Sequence, residues 1–403
     1  MKIIEGGVCA AQGFSASGIH CGIRKNKSKR DLALIYSEKV AACASVYTTN
    51  KVKGAPLTVT KNNIKDGYAQ AVICNSGNAN TCNANGIEVA EQTCVLIANE
   101  LNIDPKNVVV ASTGVIGQPL DINPIKDGIP MLVKALGNNS EEAAEGIMTT
   151  DTRLKQIAIS FEVDGVECKI GGIAKGSGMI HPNMATMLVF ITTDCNVSAE
   201  MLQLALSGDI KKTFNMVSVD GDTSTNDMVS VLANGMAGNK KITEQGEDFD
   251  KFMAALNAVT VYLCRRIAGD GEGATKLLEC SVSGAYDEEN ARVIAKSVIC
   301  SSLVKAAMFG SDANWGRVLC AIGYSGATVD VNKVGVSFVS SKGEIVVCEN
   351  GAGVEFSEEI AKEILLQDEI TIKVTLGDGS ASATAWGCDL TYDYVKINGD
   401  YRT

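Results

Sequence analysis

Residues 175–191 read Lys-Gly-Ser-Gly-Met-Ile-His-Pro-Asn-Met-Ala-Thr-Met-Leu-Val-Phe-Ile: a glycine-flanked loop, a turn at Pro182-Asn183, then Thr186 at the head of an apolar β-type run. Two readings of Thr186 follow from these residues. It opens a strand, as threonine favours, or it is the nucleophile that a self-cleaving precursor places where a glycine-rich loop meets a buried strand. In the second reading the base is the freed α-amino group of Thr186 itself, whose ordinary pKa of about 7.7–8.0 suits proton transfer near neutrality.

The rest of the chain narrows the choice of base. Among 403 residues only His20 and His181 are histidines, whereas most zinc enzymes and hydrolytic triads draw on imidazole. His181 would have to fold back across the Pro182 turn, with no acidic neighbour in sequence to orient it. Ser177 lacks the GxSxG surroundings of a nucleophile elbow, and GDGEGATK (269–276) lacks P-loop spacing and carries Glu272 at its centre.

Composition excludes several classes. An apolar share of 46% with 21% charged residues fits a folded protein with its own core. The net charge of −11 is spread along the chain and opposes nucleic acid or an anionic membrane as partner. No apolar stretch reaches the roughly 18–20 residues of a membrane span, and the opening MKIIEGGVCAAQGF has no hydrophobic signal core; a cytoplasmic protein is expected. The 14 cysteines, scattered from Cys9 to Cys388 without a CxxC pair, read as reduced thiols used as small core residues.

Periodicity predicts strands at 31–36, 41–47, 69–74, 107–111, 187–193, 277–283, 335–339, 344–348, 369–375 and 382–387. Helices are expected at 87–101, 199–214, 249–268, 288–308 and 357–366. Short turns as well as helices join the strands, which favours an α+β layered body over a purely parallel doubly wound sheet.

Polar blocks rich in Gly, Asn, Asp, Ser and Thr punctuate these segments: TTNKVKGAP (48–56), NSGNAN (75–80), STGVIG (112–117), MTTDT (148–152), KGSGMIHPNMATM (175–187), VDGDTSTND (219–227), DGEGATK (270–276), NWGR (314–317) and NGDYRT (398–403). Singly each reads as a turn. Together, in this order and over essentially the whole chain, they resemble the bacterial ornithine acetyltransferase family of arginine biosynthesis, many of whose members are bifunctional glutamate N-acetyltransferases. Two departures are visible: Ala313 stands between Asp312 and Asn314 where the family usually has proline, and Asn83 follows Cys82 where threonine is common.

The resemblance implies a layered α/β/β/α sandwich of mixed sheets with an N-terminal nucleophile. It implies self-cleavage between Ala185 and Thr186, giving an α chain of residues 1–185 and a β chain of 186–403 interwoven in one body, two copies of each forming an α2β2 heterotetramer. Thr186 becomes the nucleophile, and Thr113 and Gly114 the oxyanion donors. Thr149, Lys175, Thr186, Glu272, Asn398 and Thr403 become substrate contacts. The implied reaction carries acetyl from N-acetylornithine to glutamate through a Thr186 ester, with no metal or organic cofactor. Lys175 suits an α-carboxylate and Glu272 a distal ammonium. Whether acetyl-CoA is a second donor is undecided by any residue. The competing class, an autoproteolytic aminopeptidase of the same fold, would release the acyl group to water.

Overall fold

A computed structural model of the protein describes residues 1–181 and 187–399. The expected cleavage pair, Ala185 and Thr186, and the C-terminal Thr403 lie outside the described residues. The fold is α+β, as expected, and carries two mixed sheets. The chain divides into two compact units, one of Met1–Gly176, Asn183–Lys211 and Thr223–Leu263, the other of Ser177–Pro182, Lys212–Asp222 and Cys264–Thr403.

The first unit is organised by a nine-stranded sheet. Across it the strands run Lys2–Ile4, Lys155–Val163, Val166–Lys175, Leu188–Thr193, Met228–Ala233, Leu32–Tyr47, Tyr68–Asn75 and Val108–Ser112, with Phe14–Ile19 paired to the first half of Leu32–Tyr47. Side-chain alternation sends Leu32, Leu34, Ala71, Ile73, Val108 and Val110 to one face, where they pack with residues of the helices Gly86–Leu101 and Ile122–Lys134. The intervening Ala33, Ile35, Val72, Cys74, Val109 and Ala111 go to the other face, with Ala143, Ala144 and Ile147 of the helix Ser140–Ile147. Both faces are therefore apolar, and the strands read as nearly continuous hydrophobic runs.

The second unit carries a seven-stranded sheet in the order Ala352–Gly353, Gly343–Glu349, Gly335–Ser340, Glu369–Thr375, Leu277–Ala285, Ala381–Cys388 and Val217–Ser218. Helix Glu288–Cys300 packs on Ala381–Cys388 and Leu277–Ala285. The contact is close because Gly387 has no side chain: a Cβ there would sit 2.4 Å from Ile299.

Some expected elements differ in extent. The segments 31–36 and 41–47 form one strand, Leu32–Tyr47, with an irregularity between Tyr36 and Ala41 in its pairing with Tyr68–Asn75. The expected helix 288–308 is two helices, Glu288–Cys300 and Ser302–Phe309, because Ser301 leaves helical geometry and its hydroxyl accepts from Val304 N–H as the second helix's cap. The helix expected to reach 214 ends at Asp209. The thiols are free, and only Cys82 and Cys320 are exposed. Among the described residues no helix is long and apolar enough to cross a membrane.

Candidate active site

In the first unit the end of strand Val108–Ser112 delivers Thr113 and Gly114. The Thr113 N–H is already used, donating to the Asn75 carbonyl at 3.0 Å, so the hydroxyl is this residue's remaining donor. Gly114 has a φ of +133°, and a Cβ on it would lie 2.4 Å from the Gly77 carbonyl carbon and 2.6 Å from Asn78 N. Only glycine fits that backbone crossing. Its N–H donates to no acceptor among the described residues. A free N–H beside a hydroxyl is the donor pair an oxyanion requires.

Lys175 ends the strand Val166–Lys175 and is 9% exposed, with Nζ 3.2 Å from Thr113 Oγ1. The chain around it is pinned by Asp151, whose Oδ1 accepts from Gly176 N–H (2.7 Å) and Lys155 Nζ (2.6 Å) and whose Oδ2 accepts from Thr149 N–H (3.0 Å). The Asp151 and Lys155 side chains are both fully buried. Burial alone would raise the Asp151 carboxyl, but Lys155 and Lys175 outweigh it and hold the group at about 2. Thr149 is thus held through its backbone by the same carboxylate that holds Gly176.

The motif blocks of this unit converge. Asn226 donates from Nδ2 to the Ser112 carbonyl (2.9 Å) and accepts at Oδ1 from the Thr81 hydroxyl (2.6 Å). Gly54 N–H donates to the Thr225 carbonyl (3.0 Å), and a Cβ on Gly54 would strike the Asn226 amide. Asn50 Nδ2 donates to the Thr223 carbonyl (2.9 Å) and Ala55 N–H to the Asn80 carbonyl (3.1 Å). Blocks 48–56, 75–80, 112–117 and 223–227 therefore interlock, which accounts for their joint presence.

In the second unit Glu272 is 7% exposed and its Oε2 accepts from Asn398 Nδ2 at 2.7 Å, bringing two of the expected substrate contacts together. Glu272 N–H donates to the Ser177 carbonyl (2.9 Å), and Ser177 Oγ donates to the Asp270 carbonyl (2.6 Å). A Cβ on Gly178 would fall 2.4 Å from the Glu272 carboxyl carbon, so the second glycine of the KGSG loop exists to admit that carboxylate. Asp220 holds the same loop, accepting from Met179 N–H (2.7 Å) and Ile180 N–H (2.9 Å). Burial raises Asp220, and burial followed by Asp220 raises the Tyr394 hydroxyl. His181 meets Ser218 Oγ at 3.1 Å, and burial together with the Lys296 charge pushes its imidazole down to about 4, so it is neutral at pH 7.

Sequence reasoning named Thr113, Gly114, Lys175, Glu272, Asn398 and Thr149; it passed over Asp151, Lys155, Asp220 and Asp227. All but Lys155 lie in the quoted blocks, but nothing in the sequence distinguishes a buried carboxylate from a turn aspartate. DGEGATK and NWGR are structural in large part. Lys276 Nζ donates to the carbonyls of Met308 (2.6 Å) and Leu365 (2.7 Å), and Asn314 caps helix Trp315–Gly323. Among the described residues no group of His, Cys, Asp and Glu is arranged to hold a metal.

The family model described as ArgJ family matches residues 15–403. The chain is 51% identical over 405 residues to the arginine biosynthesis bifunctional protein ArgJ of Caldanaerobacter subterraneus subsp. tengcongensis, covering 100% of both chains. It is 50% identical over 392 residues to ArgJ 1, also described as an arginine biosynthesis bifunctional protein, of Clostridium acetobutylicum, covering 97% of this chain and 96% of that one. Among solved structures it is similar to the arginine biosynthesis bifunctional protein ArgJ of Bacillus halodurans, with 46% identity and a TM-score of 0.50, over 52% of this chain and 97% of that one.

Proposed function

The chain belongs to the ArgJ family, and from that membership we propose a self-processed acetyltransferase of arginine biosynthesis that moves acetyl from N-acetylornithine to glutamate. The observation that carries the chemistry is the free Gly114 N–H beside the Thr113 hydroxyl, with the Lys175 ammonium 3.2 Å from that hydroxyl. An acyl transfer without a metal needs such a donor pair for its tetrahedral oxyanion.

The nucleophile in this reading is Thr186. Its hydroxyl first attacks the Ala185 carbonyl, an ester forms by N-to-O shift, and water cleaves it to leave Thr186 as a new N-terminus. The same hydroxyl, with its proton passing to the α-amine, then attacks the acetyl carbonyl of N-acetylornithine. Ornithine departs and glutamate takes the acetyl group from the Thr186 ester. Lys175 is suited to the substrate α-carboxylate and the Glu272–Asn398 pair to a distal ammonium; Thr149 and Thr403 complete the proposed contacts.

The solved Bacillus chain is about half as long as this one, as one half of a cut precursor would be. We assign the two fragments to an α2β2 heterotetramer acting in the cytoplasm. The chemistry calls for no metal or organic cofactor. Acetyl-CoA enters only as an alternative acetyl donor, which glutamate acetylation assayed with acetyl-CoA tests.

The decisive variant is Thr186→Ala. It is expected to run as one uncut band and to lack transfer, whereas the parent gives fragments of 185 and 218 residues. Fragments or transacetylase activity from Thr186→Ala, or hydrolysis of N-acetylornithine in place of transfer by the parent, would refute the assignment.

A further inference from the structure

Residues 24–30 read Arg-Lys-Asn-Lys-Ser-Lys-Arg, five cations and no acid in seven positions of a chain whose net charge is −11. Like charges gathered this densely repel one another, and an anion bound among them relieves the repulsion. The segment is built into the first unit. The fully buried Asp31 carboxylate accepts from the N–H groups of Cys21 (2.7 Å), Gly22 (3.3 Å) and Arg24 (2.9 Å), winding the chain around itself. His20 Nδ1 donates to the Lys29 carbonyl at 3.0 Å, which ties the two ends of the loop. Both arginines serve the fold: Arg24 donates to the Met148 carbonyl, and Arg30 to the Glu145 carboxylate and, from Nε, to the Gly18 carbonyl (3.0 Å). Lys25, Lys27 and Lys29 are the cations left without an acidic partner among the described residues. Lys27, Ser28 and Lys29 line, with His20, Ile19 and Met131, an open cavity of about 430 Å³.

The loop leans on the oxyanion donors. A Cβ on Gly77 would lie 2.8 Å from Arg24 Cγ, and Gly77 is the residue whose backbone Gly114 crosses. Ser76 N–H donates to the Asp31 carbonyl (2.9 Å) and Ser76 Oγ to the Gly146 carbonyl (2.7 Å), so the loop, the NSGNAN block and the chain leading to Thr149 are bonded together. Lys27 and Lys29 stand three and five residues beyond Arg24, at most about 11–18 Å of chain. A ligand held at once by these lysines and by Thr113 and Gly114 is long, and carries several negative charges at the end remote from its reacting carbonyl.

We propose that the loop 24–30 is the phosphate site of a nucleotide-tailed acyl donor: Lys25, Lys27 and Lys29 hold the 3′-phosphate and diphosphate of coenzyme A while its thioester faces Thr113 and Gly114. The inference rests on the proposed transfer reaction and gives its alternative acetyl donor a place. Ammonium groups on flexible stems pair with phosphate oxygens as point charges. N-acetylornithine carries no phosphate, so the two donors share Thr113 and Gly114 and differ in their use of the lysines.

Replacing partly or fully exposed lysines that pair with nothing should leave the fold intact. Lys27→Ala/Lys29→Ala is expected to raise KM for acetyl-CoA in glutamate acetylation about 10-fold or more, with kcat little changed. Its transfer from N-acetylornithine should match the parent's. Lys27→Arg/Lys29→Arg should restore KM, since guanidinium also pairs with phosphate. Calorimetric titration identifies the ligand: CoA and adenosine 3′,5′-bisphosphate should bind the parent and weaken by a similar factor in the alanine variant, while inorganic phosphate binds far more weakly. Parent-like KM and CoA affinity in the alanine variant overturn the proposal, as does a parent that binds no CoA. Inorganic phosphate bound as tightly as CoA makes the loop a free-phosphate site and overturns the donor assignment. A parent without transfer from N-acetylornithine sinks the underlying reading; a parent that transfers acetyl and binds CoA without help from the lysines sinks this inference alone.

Discussion

At the scale of single residues, the site is built from groups whose ordinary hydrogen bonds have been redirected. The Thr113 N–H is consumed by the sheet, which leaves its hydroxyl and the Gly114 N–H as the donors. Removing that hydroxyl in Thr113→Val should lower kcat about 10²- to 10³-fold, with KM little affected, as for other oxyanion donors; Thr113→Ser should retain most of the rate. Steady-state kinetics separate the two, and an unchanged kcat in Thr113→Val would remove Thr113 from the oxyanion role. Asp151 makes a different prediction. Its carboxyl titrates at about 2 in the folded protein, below its ordinary value of 3.8. The stability it contributes is therefore complete above about pH 4 and lost as pH falls towards 2. Asp151→Ala takes the carboxylate away from the buried Lys155 ammonium and should cost about 3–5 kcal/mol. Chemical denaturation at pH 7 measures that loss, and the variant's stability should depend less on pH between 4 and 2. Nothing in the sequence around 151 reveals this pair, because an aspartate in Thr-Thr-Asp-Thr looks like a turn residue until the fold buries it.

At the scale of elements, the strands legible in the sequence are those with apolar runs bounded by turn residues. Residues 69–74 and 107–111 correspond to Tyr68–Asn75 and Val108–Ser112, and 369–375 to Glu369–Thr375. The hairpin Lys155–Val163 and Val166–Lys175 was not legible from apolar runs, because Lys155, Glu162, Glu167 and Lys169 break them. Its signal lay in the turn. Asp164 and Gly165 both have positive φ, +53° and +71°, as a two-residue hairpin turn demands, and Asp-Gly is a common pair for it. That hairpin matters for function because its second strand ends on Lys175. Helix Ala55–Asn63 is tied to strand Val108–Ser112 by the Thr60 hydroxyl, which donates to the Val110 carbonyl (2.7 Å) and accepts from the Val110 N–H (2.8 Å). Thr60→Val leaves both backbone groups buried and unpaired and should destabilise by about 1–3 kcal/mol per group. A melting temperature equal to the parent's would contradict that account.

At the scale of the whole molecule, the polar blocks carried the family and the site residues, while the partition of the chain was not visible in them. The sheet of the first unit draws strands from both sides of residue 186: Leu188–Thr193 lies between Val166–Lys175 and Met228–Ala233, hydrogen-bonded to each. Cleavage at Ala185-Thr186 would thus sever the chain without removing a strand from the sheet. The two fragments should co-elute under native conditions and separate only in denaturant; fragments eluting apart in native buffer would contradict this. The scarcity of histidine agrees with the same picture, since His181 is held neutral by burial and the proposed base is made by the cut itself. The central claim is that residue 186 carries the acetyl group between the two substrates. Intact-mass measurement of the protein incubated with N-acetylornithine alone tests it directly. The account predicts one added acetyl group on the 218-residue fragment, located at residue 186 by peptide mapping and discharged on addition of glutamate. An uncut chain, or a cut chain that transfers acetyl without ever carrying it at residue 186, would contradict it.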